Sequence, residues 1–365
     1  MIRVVLDGLT RRVDKVAVVD GASLEVRPGE LTVLAGPSGA GKSTIARLIA
    51  GLERPDEGSI YFDGRDVTRL PPAQRKVGVA WQGDALWPQL TVAENLDDAL
   101  RPLKLPRRAR KKRVADALGQ VGIDALADKR PAALSMPQAR RVALARALVA
   151  GPDLLVLDDP IGDLPERDRA ALRDEILRVV AEAEVSTLVM TADPREALAM
   201  ADRLAVIDLG RVVQVGPPRE VYHDPADAFV ARFLGPANIL QGHLEGVDAR
   251  GEAVVRTPIG RLVGRAPKSP IDVGSPVTVA IRPESLGLGP TVPPGSNRFA
   301  ATLERQIFLG QTRQVDLRGP GDWPMTALTL TSQGNGLREG QPLTVSVAPE
   351  QVVILASKFN GTSKL

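Results

Sequence analysis

Apolar residues follow two different rhythms along the chain. Up to about residue 235, short unbroken apolar runs alternate with helix-length stretches. Leu31–Ala35 runs straight into glycine and Leu154–Leu157 straight into acid; Leu188–Met190 and Leu204–Ile207 have the same character. A strand covered on both faces never meets water and so needs no polar alternation, and these runs predict an α/β sheet. Over about residues 90–150 the spacing becomes helical, with Val114, Leu118 and Val121 three or four positions apart, which predicts a helical subdomain. After Pro236 the period drops to two, in Ala253–Val255, Val277–Ile281 and Leu343–Val347, with Gly and Pro between the runs. That pattern predicts a small all-β barrel. Two similar segments, about 236–290 and 297–356, are expected within it, linked by the Pro- and Gly-rich stretch from Gly289 to Gly295.

A chain of 365 residues is too long for one compact core, so the expected domains are 1–235 and 236–365. Apolar content of 44% and charged content of 25% are those of a folded soluble protein. No run reaches the ~20 apolar residues of a membrane span, and Met1–Leu9 lacks the pattern of a secretory signal. With no cysteine and only His223 and His243, disulfides and Cys- or His-rich metal sites are excluded. The net charge of +3 is too small to argue for nucleic acid. These features place the chain in the cytoplasm.

Gly36, Pro37, Ser38, Gly39, Ala40, Gly41, Lys42, Ser43 and Thr44 fit the pattern G-x-x-x-x-G-K-[ST] after a strand and before a helical pattern. A polyphosphate is held by backbone N–H groups that side chains would obstruct, which is why glycines are required. The helix start adds its positive dipole end. Lys42 should reach the β- and γ-phosphates of ATP and Ser43 should ligate Mg²⁺. Leu154–Asp158 ends an apolar strand on a carboxylate, and Asp158 should hold Mg²⁺ through its water shell.

Beyond these two motifs, the order of features resembles the ATP-binding subunits of bacterial ABC importers that carry a C-terminal regulatory barrel. Val79–Gln82 is similar to the Q-loop, Leu134–Ala147 to the signature motif and its helix, and Glu220–Pro225 with Phe229–Gly235 to the exit from the ATPase domain. Ile281–Glu284 and Phe308–Gly310 are family-like within the barrel. The resemblance implies a P-loop NTPase fold, a RecA-like sheet with a helical subdomain, followed by an OB-like (TOBE) barrel. It also implies a dimer with two ATP molecules at the interface, each between one subunit's cradle and the other's signature motif, where Ser135 and Gln138 lie. Gln82 would sense the γ-phosphate, contribute to the Mg²⁺ site and connect to transmembrane permease subunits. An extracytoplasmic solute-binding protein would be an indirect partner, and the chain would sit peripherally at the cytoplasmic face of the inner membrane.

Several positions depart from the family pattern. Asp159 stands where the family has the glutamate that activates water; it is one methylene shorter, and roughly 1 Å of misplacement can cost on the order of a hundredfold in rate. Ala192 stands where the family has a histidine, and it can neither donate a hydrogen bond nor carry charge. Met136 and Pro137 replace two glycines of the signature motif, and Pro137 has no N–H to give. Val13 takes the place of the aromatic residue that stacks on adenine, and Pro165 replaces an aspartate in the loop after the acids. Two functions therefore stand side by side: a slow transport ATPase, and a nucleotide-binding subunit that does not hydrolyse ATP usefully. Because the defects fall on both halves of a composite site, the favoured assembly pairs this chain with a competent second ATPase subunit. The basic run Lys104–Arg113 has no interleaved aromatic residues and reads as a solvated helix face rather than a nucleic-acid surface. The exit sequence Phe233–Leu240 leans toward polyamine and ferric-iron importers, and the cargo is otherwise not written in this chain.

Overall fold

The computed structural model describes residues 1–365 except 84, 249–250, 268–269, 290–292, 294, 333–335 and 357–365. The chain divides into two compact units, Met1–Arg219 and Glu220–Leu365. The Gly289–Gly295 link expected from composition includes residues outside those described.

In the first unit, six strands form one sheet in the spatial order Arg211–Gly216, Arg203–Asp208, Leu31–Ala35, Ser186–Thr191, Leu154–Asp158 and Val77–Ala80. All neighbours run parallel except the edge pair Arg211–Gly216 and Arg203–Asp208. Every residue of Leu31–Ala35, Leu154–Asp158 and Ser186–Thr191 is buried, as their unbroken apolar character requires. A second, antiparallel sheet joins Val16–Val26, Val4–Val13, Glu57–Phe62 and Arg65–Asp66. Helix Lys42–Ala50 lies in the core between the two, burying Ile45, Leu48 and Ile49 against Leu6, Leu9, Leu34 and Ile60. The helical subdomain holds Val92–Leu100, Arg107–Gln120 and Met136–Leu148. Thr91 and Glu94 form a capping box that starts the first of these.

In the second unit, Asn238–Val247, Glu252–Thr257, Gly260–Arg265, Val352–Ala356 and Pro276–Ile281 close into a barrel. A five-stranded sheet packs with it: Gly287–Leu288, Pro342–Val347, Asn297–Phe308, Thr312–Arg318 and Pro324–Leu330. The two segments expected from the sequence interlock. Val352–Ala356, late in the second, pairs with Pro276–Ile281 to complete the barrel built by the first. Gly287–Leu288, from the first, pairs with Pro342–Val347. One apolar core fills both, from Leu240 and Val279 to Leu303 and Val345.

The exit segment 220–235, expected with the ATPase domain, belongs to the second unit. Arg282 is the reason. Its buried guanidinium donates from Nη1 to the carbonyls of Ala231 (2.7 Å), Gly235 (3.0 Å) and Pro236 (3.2 Å), closing the C-terminal end of helix Ala228–Leu234. Nη2 donates to the Tyr222 carbonyl at 3.1 Å, and the guanidinium lies 4.0 Å over the Tyr222 ring. The Tyr222 hydroxyl donates to Glu284 at 2.7 Å. The family-like run Ile281–Glu284 thus ties the exit segment to the barrel.

Candidate functional site: a phosphate cleft at the strand ends

The carboxyl ends of four adjacent parallel strands open on one cleft, the place where α/β sheets bind ligands. Leu31–Ala35 leads into the glycine loop, Ser186–Thr191 into Ala192, Leu154–Asp158 into Asp159, and Val77–Ala80 into Gln82. Register brings these ends level, with Ala35 opposite Thr191, Met190 opposite Asp158, and Leu157 opposite Ala80. The cleft, of about 210 Å³, is lined by the glycine loop and Lys42 to Thr44, with Gln82, Asp158, Asp159, Ala192 and Val18 around it.

The loop needs glycine for two separate reasons. A Cβ on Gly36 would stand 2.3 Å from the Ile207 carbonyl oxygen, because the loop crosses the neighbouring strand at backbone distance. Gly41 has φ of 99° and a Cβ there would meet the Val18 carbonyl at 2.5 Å. Helix Lys42–Ala50 starts directly afterwards, with no side-chain cap on its first N–H groups, which leaves them free to meet an anion. Lys42 is buried and donates from Nζ to the carbonyls of Gly36 (2.6 Å) and Pro37 (2.8 Å). Burial lowers its pKa from the usual lysine value, against the opposing pull of Asp158 and Asp159. A phosphate chain would supply the counter-charge it lacks.

Asp158 is buried, and burial pushes its pKa up, while a hydrogen bond from the Ser43 hydroxyl and the charge of Lys42 pull it down. The Ser43 and Asp158 oxygens are therefore adjacent in a desolvated place that favours an added cation. With the amide of Gln82 on the rim, they make the hard oxygen set that suits Mg²⁺. Among the described residues no group of three His, Cys, Asp or Glu side chains stands ready to hold a metal alone, so the set is one that phosphate oxygens and water complete.

Asp159 adopts φ of 51°, its N–H donating to the Met190 carbonyl at 2.9 Å. Its carboxylate accepts from Gln82 Nε2 at 3.2 Å. Burial, then Asp163, then Asp158 raise its pKa. Ala192 faces the same cleft with a methyl group only.

Three further residues expected at a nucleotide, Ser135 and Gln138 across a dimer interface and Val13 at adenine, lie outside this phosphate cleft. Ser135 is the N-cap of helix Met136–Leu148: its hydroxyl accepts from the Gln138 N–H at 3.4 Å and its own N–H donates to Gln138 Oε1 at 2.9 Å. Pro137 sits in the first turn, where its missing N–H does not break the helix, and Met136 is 49% exposed beside it. Neither Ser135 nor Gln138 lines this chain's own cleft. Val13 does not line it either; it pairs with Val16 at a hairpin tip and is 47% exposed.

Comparison with known proteins decides what the cleft belongs to. The family model described as ABC transporter matches residues 19–162, and that of the TOBE domain matches 279–355. The spermidine/putrescine import ATP-binding protein PotA of Rubrobacter xylanophilus is 38% identical over 357 residues, covering 97% of this chain and 93% of that protein. The sulfate/thiosulfate import ATP-binding protein CysA 2 of Chromobacterium violaceum is 41% identical over 313 residues, covering 86% of this chain and 83% of that one. This chain belongs to the ABC transporter family, among the importer ATP-binding proteins with a TOBE domain. Among solved structures, an ATP-binding cassette in its ADP conformation superposes with a TM-score of 0.55 at 25% identity, over 64% of this chain and 98% of that one. A dimeric cassette bound to ADP and Pi, in a post-hydrolysis state, gives 0.52 at 26% identity over 59% and 99%.

Three residues of this ABC cassette, Val18, Arg169 and Arg75, were passed over in the sequence, and Gly162 was noted only as part of the changed loop after the acids. Val18 lines the cleft because the strand from Val16 runs back past Gly41. Arg169 donates to the Gly162 (2.9 Å) and Leu164 (2.8 Å) carbonyls and to Asp193 (2.9 Å), joining the loop after Asp159 to the segment after Ala192. Arg75, 2% exposed, donates only to backbone carbonyls and closes the phosphate-loop helix at its far end. Gly162 lies directly under the Asp159 carboxylate. An arginine that pairs only with carbonyls leaves no partner pattern in a sequence, so Arg75 carried no signal, and the Asp193 partner of Arg169 lies 24 residues away, beyond any local spacing rule.

Among the described residues no helix is long and apolar enough to cross a membrane.

Proposed function

We propose that this chain is the ATP-binding subunit of a bacterial ABC importer that binds MgATP and hydrolyses it slowly, coupling that cycle to uptake through separate transmembrane subunits. What supports the reading is the convergence of Lys42, Ser43, Asp158, Asp159 and Gln82 on one cleft at the strand ends. Lys42 and the loop N–H groups bind the β- and γ-phosphates. Ser43, Asp158 and Gln82 hold Mg²⁺, which supplies charge neutralisation on the phosphates. Asp159 is the carboxylate that takes the proton of the attacking water, its raised pKa bringing it closer to that task. Ala192 supplies no hydrogen bond to the γ-phosphate, and this alone makes the step slower than with an imidazole donor.

The Ser135 helix start lies away from this chain's own cleft, which fits a site completed by another subunit. In a pair with a competent ATPase, this chain would impair its own site through Asp159 and Ala192 while still presenting Ser135 to the partner's nucleotide. The partner's site then does most of the turnover. Affinity purification of the tagged chain from its native membranes tests this. A second ATPase subunit recovered together with the transmembrane subunits supports the pairing. Recovery of a single ATPase species, or ATP-driven uptake by this chain with transmembrane subunits alone, rejects it. A non-hydrolysing regulatory role is the second reading, favoured by Ala192 and by the hydrogen bond that occupies the Asp159 carboxylate.

A further inference from the structure

Asp159 and Gly162 are fitted to each other. An ideal Cβ built on Gly162 would lie 2.3 Å from Asp159 Oδ1, 2.5 Å from Oδ2 and 2.7 Å from Cγ. No other atom crowds that point so closely, and Gly162 lies outside the left-handed backbone region, so the backbone itself accepts alanine. The three atoms nearest to a side chain at 162 are all of the Asp159 carboxyl group, so its present position is what a methyl group there meets first. That position is held from three sides. Asp159 has a left-handed backbone, φ 51°, and its carboxyl group lies over Gly162. Gln82 Nε2 donates to Oδ2 at 3.2 Å. Arg169 Nη2 donates to the Gly162 carbonyl at 2.9 Å, which holds the glycine in place beneath the carboxylate.

We infer that Gly162 is a positioning residue which, by having no side chain, allows the Asp159 carboxylate to rest against Gln82 at the wall of the cleft, an arrangement in which the carboxylate is engaged by the Gln82 amide. The inference rests on the reading of the cleft as an ATP site, and it deepens that reading: turnover is limited by an Asp159–Gln82 latch as well as by the shortened side chain. A methyl group at 162 needs more than 3 Å of clearance from an oxygen, so the carboxylate must swing away by about 1 Å or more. Gln82 and the glycine occupy two sides, and the open side is the cleft that Asp159 already lines.

The test is Gly162→Ala in the full-length chain, with two readouts. One is the side-chain amide signal of Gln82 in protein labelled with ¹⁵N-glutamine, assigned by its loss in Gln82→Ala. The other is steady-state MgATP turnover, separated into kcat and KM. The expected result is a shifted Gln82 amide signal, a kcat raised threefold or more with KM unchanged, and no rise when Asp159→Asn is present. An unmoved Gln82 signal overturns the inference, and so does a fall in kcat, which would make the present position the working one. If the Gln82 signal moves while both proteins lack turnover, the latch stands and it is the hydrolytic reading of the cleft that fails.

Discussion

Replacing Arg75 should weaken the phosphate-loop helix from its far end. Helix Lys42–Ala50 stops at Gly51, whose left-handed backbone caps Arg47 and Leu48 with the N–H groups that follow, while the Ile49 carbonyl needs a donor from elsewhere. Arg75 supplies that donor and ties the helix end to the loop at 68–70: Nη1 donates to Leu48 (2.7 Å) and Ile49 (3.0 Å), Nε to Leu70 (2.9 Å) and Nη2 to Thr68 (2.9 Å). Gly51 makes room for it, since a Cβ there would stand 2.7 Å from Arg75 Nε. In Arg75→Ala, the Leu48 carbonyl keeps the Gly51 N–H at 3.2 Å, but those of Ile49, Leu70 and Thr68 lose the guanidinium. At about 1 kcal/mol for each unmet buried carbonyl the loss is about 3 kcal/mol, partly returned if water enters the vacated space. Against a typical domain stability of ~5–15 kcal/mol that is a large fraction. Arg75→Lys keeps a charge and up to three donors without the planar fork, and should lose about 1 kcal/mol. Urea denaturation followed by Trp81 and Trp87 fluorescence in a Trp323→Phe background reads the first unit. Saturating MgATP should recover part of the loss, since the ligand binds the other end of the same helix. An alanine variant within 1 kcal/mol of wild type would refute the reasoning, as would a lysine variant no better than alanine.

Two further outcomes follow from the same geometry. Tyr222 is held neutral up to about 12, by burial first and then by its hydrogen bond to Glu284, against 10.0 for a free tyrosine. A raised folded pKa contributes stability that is complete below the unfolded value and is lost as pH climbs through the folded one. The second unit should therefore lose stability between pH 10.0 and about 12, and Tyr222→Phe should flatten that part of the profile in denaturation experiments. Ala192→His places an imidazole donor in the cleft facing Lys42 and Asp159; kcat for MgATP should rise about tenfold, and an unchanged kcat would show that the missing donor does not limit the step.

What could be read from the sequence was whatever one strand or one loop determines by itself. The runs Leu31–Ala35 and Leu154–Asp158 show their double burial in composition, and the glycine loop carries a spacing that only a phosphate cradle demands. The hairpin Val4–Val13 and Val16–Val26 was illegible because bulges break its alternation between Leu6 and Leu9 and again near Arg11. Interlocking of the two barrel segments depends on Val352–Ala356 pairing with Pro276–Ile281, a long-range choice that local periodicity does not record. Arg282 resembled a family motif, but only the structure shows its guanidinium drawing residues 220–235 into the second unit. In the cleft, Asp159 was visible as a shortened base, whereas its fit to Gly162 depends on a left-handed backbone and a rotamer that no spacing rule supplies. Val13 was placed near adenine by its position in the chain; the structure sets it at a hairpin tip and brings Val18, further along the same hairpin, to the phosphate cleft.

The most direct test is MgATP turnover by the purified chain set against Lys42→Ala, the variant that removes the buried ammonium from the cradle and reports contaminating activity. The cleft described here predicts slow turnover that Lys42→Ala abolishes. Equal turnover in the two proteins would contradict the claim that this chain hydrolyses ATP.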